Sequence, residues 1–178
     1  MYICVYCGSS SGHDPAILQQ AEELGKIMAH RGHHLVYGGS SIGVMGTLAN
    51  AVMREGGEVT GVIPKGLFKK EVAHQSITTL ITVKNMHERK YTMSDRADAF
   101  LALPGGFGTL EELFEIITWN QLEIIEKPVT LFNINGFFDP LIEMIHKAED
   151  AGFIRPENRK ILQVAETLED CLRFSQAN

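Results

Sequence analysis

The sequence predicts an α/β fold, a mostly parallel sheet flanked by helices in three layers, and three observations point there. Short apolar, β-rich runs alternate with segments of helical periodicity along the 178 residues. Three of those runs open into glycine loops, at Gly8, Gly38 and Gly105. Two runs stop at a proline, Pro64 and Pro104, which cannot donate to a sheet ladder. The length suits one domain spanning 1–178 and is short for two.

In chain order, Tyr2 to Cys7 reads as a strand that opens into Gly8-Ser-Ser-Ser-Gly12. Asp14-Pro15 then announces a helix, Asp as N-cap and Pro at the first helical position. Ile17, Ala21, Leu24 and Met28 recur at helical spacing, and Gly32 stops the element near residue 31. His34 to Tyr37 is a second strand, Gly38 to Gly43 a second phosphate-type loop, and Val44, Leu48 and Val52 the apolar stripe of the next helix, closed by Gly56-Gly57. Val59 to Ile63 is a third strand. The segment from Lys65 to Ser76 has no clear periodicity and reads as a surface loop. Thr79 to Val83 is a fourth strand and Met86 to Ala97 a helix.

That helix carries an anomaly. At about 100° per residue, Met86, Arg89, Lys90, Met93 and Ala97 fall on one stripe, so two cations share the face that should pack inward. A buried cation needs a partner. Either the side chains snorkel or pair with Asp95 or Asp98, or they hold an anion in a cleft.

Ala99 to Leu103 is a buried strand leading into Pro104-Gly-Gly-Phe-Gly-Thr-Leu-Glu-Glu112. The glycines permit positive φ and close approach, Thr109 suits an N-cap, and a helix follows from Leu110. A helix N-terminus preceded by glycines gathers backbone donors and the positive dipole end, as an anion requires. Glu112 has two readings: a capping-box carboxylate returning to the N-cap N–H, or a group free for chemistry. Leu110, Leu113, Phe114, Ile117 and Gln121 form the expected inward stripe, with Glu111, Glu112 and Glu115 on the other flank. Val129 to Phe132 is a fifth strand, Asn133 to Gly136 a turn, Phe138 to Ala151 a helix with Leu141, Ile142, Ile145 and Ala148 inward, Ile161 to Val164 a short strand, and Glu166 to Ser175 a terminal helix.

Composition excludes several function classes. The formal net charge is -6, from 16 Lys plus Arg against 22 Asp plus Glu, which disfavours a nucleic-acid partner. No apolar run approaches the roughly 20 residues that span a bilayer, and the N-terminus reads straight into a strand, so a cytoplasmic, membrane-free protein is expected. Three cysteines are an odd number. Cys4 and Cys7 have C-x-x-C spacing, but on a strand they point to opposite faces and read as buried hydrophobes. His30, His33 and His34 read as solvated or capping groups, and His87-Glu88 lacks the second histidine of a zinc HExxH motif.

A parallel sheet gathers its βα loops along the carboxyl edge, so the three glycine loops open onto one crevice with the cationic stripe beside it. This is a coherent cleft for a phosphorylated small molecule. The spacing is neither G-x-G-x-x-G nor a P-loop.

Gly38-Gly39 with Gly43-Val-Met-Gly46, Met86-His-Glu-Arg-Lys90 and Pro104 to Glu112 resemble the LOG ("Lonely Guy") family of cytokinin riboside 5'-monophosphate phosphoribohydrolases, the PGGxGTxxE pattern matching at every fixed position. The resemblance covers nearly the whole chain. It implies a Rossmann-like homodimer that hydrolyses the N-glycosidic bond of an adenosine-type nucleoside 5'-monophosphate to free base and ribose 5-phosphate, without metal or other cofactor. It places Arg89 and Glu112 at the reacting centre. The implied substrate-binding set is Gly8, Ser9, Ser10, Gly38, Gly39, Glu71, Lys90, Gly105, Gly106, Phe107, Gly108, Thr109, Leu110, Glu111 and Thr118. Members of this family have often been labelled lysine decarboxylases, but no lysine here sits in a recognisable pyridoxal-phosphate context. A carboxylate beside an anomeric carbon can stabilise positive charge, orient ribose hydroxyls or activate water, and a guanidinium can hold the phosphate or stabilise the departing base. The second expectation is a non-catalytic nucleotide or nucleotide-cofactor carrier on the same fold, resembling the molybdenum-cofactor carrier proteins.

Overall fold

The computed structural model describes residues 1–67 and 73–175. Among them the strands are β1 (Tyr2–Tyr6), β2 (His34–Tyr37), β3 (Val59–Pro64), β4 (Thr79–Val83), β5 (Ala99–Ala102), β6 (Val129–Phe132) and β7 (Leu162–Ala165). The helices are α1 (Pro15–His30), α2 (Gly43–Arg54), α3 (Met86–Arg96), α4 (Phe107–Gln121), α5 (Asp139–Asp150), α6 (Pro156–Arg159) and α7 (Leu168–Phe174). Every strand pair is parallel, in the order β4-β3-β2-β1-β5-β6-β7.

The sheet separates two apolar layers, and the period of two along β1 sorts its side chains between them. Ile3, Val5 and Cys7 join the layer built with α1, α2 and α7, while Cys4 and Tyr6 join the one built with α3, α4 and α5. The three cysteines are free and buried. Ile17, Ala21, Leu24 and Met28 of α1 are all buried, and Val44, Leu48 and Val52 of α2 pack with them. Each large aliphatic side chain taken fully from water in this way contributes about 1.5–3 kcal/mol. Asp14 caps α1 by accepting from Ala16 N at 2.9 Å, with Pro15 at the first position, as the sequence predicts.

Four expectations are corrected. Thr109 does not cap α4: the cap is Gly106, the helix begins at Phe107, and Thr109 is buried inside the first turn. The inward stripe of α4 is Thr109, Leu113 and Ile116, whereas Phe114 and Gln121 are exposed, because starting the helix at Phe107 seats Leu113 and Ile116 against the sheet. The segment after Pro64 is not wholly a surface loop. A short 3-10 turn spans Lys65–Leu67, and Ala73 bridges Ser40 while His74 is buried, its N–H donating to Gly39 O at 2.9 Å and its Nε2 paired with Asn50 Oδ1 at 3.0 Å. His33 is also buried rather than solvated. The helix α6 has no counterpart in the sequence reading, four residues being too short for a periodic signal.

Strand order reverses at β1. The chain runs outward from β1 to β4, then returns to place β5 on the other side of β1. The helices after β1 and β5 leave toward opposite faces of the sheet, so a crevice opens between the two loops at its carboxyl edge.

Candidate functional site

Gly8 N donates to Pro104 O at 3.1 Å and ties the β1 and β5 loops into one floor. A cavity of about 250 Å³ lies on it, bounded by Cys7, Gly8 and Ser9, by Met45, by Arg89 of α3, and by Gly106 to Thr109 with Glu112 of α4. A second cavity of about 260 Å³ shares Gly8, Ser9 and Gly106 and continues toward Ile17, Val44 and Phe137.

The two glycine-led helix starts beside this floor behave differently. At α2, Val44 N donates to Ser10 O at 3.4 Å and Met45 N to Gly8 O at 3.1 Å, so its terminal donors are spent on holding the β1 loop. The second phosphate-type loop expected from the sequence is therefore a buttress. At α4 the first bond within the helix is Leu110 N to Gly106 O at 3.1 Å, and the amides of Phe107, Gly108 and Thr109 precede it without a side-chain cap. Those amides and the positive dipole end edge the cavity. This is a ready anion site.

Arg89 is buried, 5% exposed, and its guanidinium is anchored to the sheet edge. Its Nε donates to Val62 O and its Nη2 to Gly38 O, both at 3.0 Å. Nη1 lies 3.5 Å from Met86 Sδ and 3.8 Å from Glu112 Oε1. The carbonyls of β2 and β3 ends thus answer part of the cation, and Nη1 is turned toward Glu112. Glu112 itself is 12% exposed in its side chain. Since Thr109 is not the cap, Glu112 is not a capping-box residue, and it stands on the cavity wall. Burial, with the nearby Glu112 carboxylate, pushes the Cys7 thiol on the cavity floor far up, against the opposing pull of Arg89. The expected alternative partners of the cations do not serve: among the described residues no ion pair joins Asp95 or Asp98 to Arg89 or Lys90, and Asp98 Oδ2 accepts from Tyr2 N at 2.7 Å.

The remaining expected site residues divide into those the cavity gathers and those it does not. Gly8, Ser9, Gly106, Phe107, Gly108, Thr109, Arg89 and Glu112 line it, and Ser10 and Gly105 line the adjoining one. Gly38 and Gly39 lie behind it instead, because a Cβ on Gly38 would fall on Arg89 Nη2 and one on Gly39 would meet Ile63 at 3.3 Å. Lys90 and Glu111 are paired with each other at 2.5 Å. Leu110 packs into the apolar layer of α3 and α4. Thr118 is exposed about 9 Å along the helix from Glu112, its hydroxyl donating to Phe114 O at 2.7 Å. Glu71 lies outside the described residues. Cys7 and Met45 were not singled out for the site by the sequence reading; Met45 sits within the Gly43-Val-Met-Gly46 motif, and its sulfur packs 3.0 Å from where a Gly38 Cβ would be. Among the described residues no cluster of three or more His, Cys, Asp or Glu could hold a metal ion, and no helix is long and apolar enough to cross a membrane.

Comparison with known proteins adds to this geometry. A family model described as "Possible lysine decarboxylase" matches residues 45–174. A cytokinin riboside 5'-monophosphate phosphoribohydrolase (LOG) of Oryza sativa subsp. japonica is 51% identical over 165 residues, 93% of this chain and 68% of that protein. The corresponding LOG7 enzyme of Arabidopsis thaliana is 48% identical over 171 residues, 96% of this chain and 79% of that protein. Among solved structures, a molybdenum cofactor binding protein from Rippkaea orientalis superposes with a TM-score of 0.70 at 24% identity, covering 97% of this chain and 93% of that one. A Moco carrier protein from Chlamydomonas reinhardtii superposes with a TM-score of 0.71 at 23% identity and the same coverage. These two structures share the fold.

Proposed function

The chain belongs to the LOG family of cytokinin riboside 5'-monophosphate phosphoribohydrolases, and from that premise we propose that it hydrolyses the N-glycosidic bond of an adenosine-type nucleoside 5'-monophosphate. The observation that carries the reading is the meeting, in one cavity, of an open helix N-terminus with Arg89 and Glu112. The α4 amides suit the 5'-phosphate, a dianion that needs several donors at one point. Glu112, further along the same helix, suits the ribose.

In the reaction the bond from the anomeric carbon to the base nitrogen breaks and its electron pair leaves on the base, which takes up a proton. Positive character develops on the ribose. Water supplies the oxygen of the new bond, and the Glu112 carboxylate both favours the positive charge and accepts the proton that water loses. Ribose 5-phosphate and the free base result. Arg89 Nη1 faces the same space and counters negative charge there, on the phosphate or the departing base. Decarboxylation draws no support from the nearby lysine, since the Lys90 ammonium lies between two carboxylates. The carrier reading rests on fold likeness below 25% identity, whereas the phosphoribohydrolases match in sequence over most of the chain.

We place the reaction in a cytoplasmic homodimer. Buried free thiols suit a reducing compartment, and large apolar side chains, Phe114, Leu122, Ile124, Met144 and Phe153, stand exposed on the α4 to α5 side, as an interface with a second copy needs.

Incubation with AMP and with N6-isopentenyladenosine monophosphate, followed by chromatography, should release free base and ribose 5-phosphate. Glu112→Gln should lower kcat by roughly 100-fold or more while the protein stays folded. Absence of base from every nucleoside monophosphate tried would refute the proposal.

A further inference from the structure

Met86 opens α3 one turn before Arg89, and the three-residue spacing lays its side chain against the guanidinium. Its sulfur accepts from Arg89 Nη1 at 3.5 Å, the weak bond that a thioether offers. The start of the helix is fixed, since the Asn85 side chain accepts from Glu88 N at 2.9 Å and Glu88 Oε2 accepts from Lys84 N at 2.8 Å. Met86 is thus held beside Arg89 while it stays 40% exposed.

The other sulfur atoms of the site are shielded. Met45 is 8% and Cys7 3% exposed, and burial pushes the Cys7 thiol far up, so the thiolate that peroxide attacks is scarce. Met93, farther along the same face of α3, is buried. Of the seven methionines only Met86 and Met144 are exposed, and Met144 is on α5 and does not line the reaction cavity. Peroxide arriving from solvent therefore meets one sulfur that touches the reacting centre.

Nη1 is also the nitrogen that matters to a ligand. Nε and Nη2 are committed to the Val62 and Gly38 carbonyls, whereas Nη1 is turned toward Glu112 and the cavity. Oxidation of the sulfur changes what Nη1 meets. A sulfur lone pair attacks one oxygen of hydrogen peroxide, an S–O bond forms as the O–O bond breaks, and the departing hydroxide takes the remaining proton as water. The thioether is oxidised to the sulfoxide and the peroxide is reduced. The new oxygen is a strong acceptor on a side chain that has become polar. The 3.5 Å between sulfur and Nη1 leaves no room for it, so the oxygen either pushes the guanidinium aside or turns and accepts from Nη1 at ordinary N–H···O length. Both outcomes draw Nη1 from the cavity.

We infer that Met86 is a site of reversible oxidative modification, whose sulfoxide takes Arg89 Nη1 away from the substrate and slows turnover. The assignment rests on the phosphoribohydrolase reading, through whose activity it is measured. Methionine sulfoxide reductases return the thioether.

The test exposes the wild type and Met86→Leu to hydrogen peroxide, follows the sulfoxide at Met86 and at Met144 by peptide mass spectrometry, and measures cleavage of one nucleoside monophosphate at each time. Wild-type kcat/KM should fall by roughly 10-fold or more, in step with the Met86 sulfoxide and not with that of Met144. Met86→Leu should keep its own untreated activity under the same exposure. Methionine sulfoxide reductases of both epimer specificities should restore the oxidised wild type, a repair that does not reach an oxidised cysteine. The assignment is overturned if Met86 is fully oxidised with kcat/KM unchanged, if Met86 stays reduced under peroxide that oxidises it in the unfolded chain, or if Met86→Leu loses activity as the wild type does. Should Met86→Leu not fold, the wild type decides: activity that follows the Met86 sulfoxide and returns with the reductases supports the assignment, and activity that does neither overturns it. A wild type that cleaves no monophosphate before peroxide is added removes the function and the assignment together, and so differs from each of these results.

Discussion

Arg89 illustrates how a cation becomes tolerable inside an apolar layer. Its helix stripe turns it inward with Met93 and Ala97, and two backbone carbonyls at the strand ends receive it. Room for it exists because residue 38 has no side chain: a Cβ there would fall on Arg89 Nη2 and lie 3.0 Å from the Met45 sulfur. Gly38→Ala should therefore push the guanidinium out of its seat. Overpacking of this kind costs about 1–3 kcal/mol. Turnover should drop by roughly 10-fold or more, with a matching fall in the urea midpoint. If Gly38→Ala keeps both wild-type turnover and wild-type stability, Arg89 is not seated by that contact.

At the scale of elements, α2 and α4 start alike in sequence and end up with different work. Each is entered through glycines, yet the α2 donors bind the Ser10 and Gly8 carbonyls while the first-turn amides of α4 face a cavity. The difference follows from strand order, which lays the α2 start against the β1 loop. Gly43 makes that approach possible, with φ of 64° and a Cβ position that falls on the Ser9 carbonyl. Gly43→Ala should displace Ser9 and its neighbours from the cavity floor, raising KM severalfold and costing about 1 kcal/mol or more of stability in denaturant unfolding. An unchanged KM would mean that the β1 loop does not shape the substrate site. The start of α4 at Phe107 has its own consequence. It moves Glu112 out of capping range and onto the cavity wall.

The whole molecule leaves one side incompletely covered. Phe114 and Ile117 of α4, Ile145 of α5, Ile154 and Leu162 border a shallow groove, and Phe153 nearby is 88% exposed. A soluble chain rarely leaves several large apolar groups in water on one side without a partner. Light scattering after gel filtration should give twice the 19.7 kDa chain mass, and Phe114→Glu should shift the population toward that mass itself. A wild type that runs as a monomer at micromolar concentration would overturn the homodimer.

Local physics made much of the fold legible in the residues themselves. The Asp14-Pro15 start, the 3.6-residue recurrence of Ile17, Ala21, Leu24 and Met28, and the opposite facing of Cys4 and Cys7 are properties of neighbouring positions, and the structure has each of them. The convergence of the β1 and β5 loops followed from alternating strands and helices, which leave a parallel sheet few ways to connect. Other features depended on contacts between distant segments. Which helix N-terminus stays open, what seats Arg89, and whether Lys90 meets a ligand or Glu111 and Glu115 are decided by residues 20 or more positions apart, as the separations of 21, 25, 27 and 51 for the Lys90 and Arg89 bonds show. A sequence motif specifies donors and acceptors, but their pairing is a competition settled by distance, and only the packed sheet brings the competing carbonyls and carboxylates within reach.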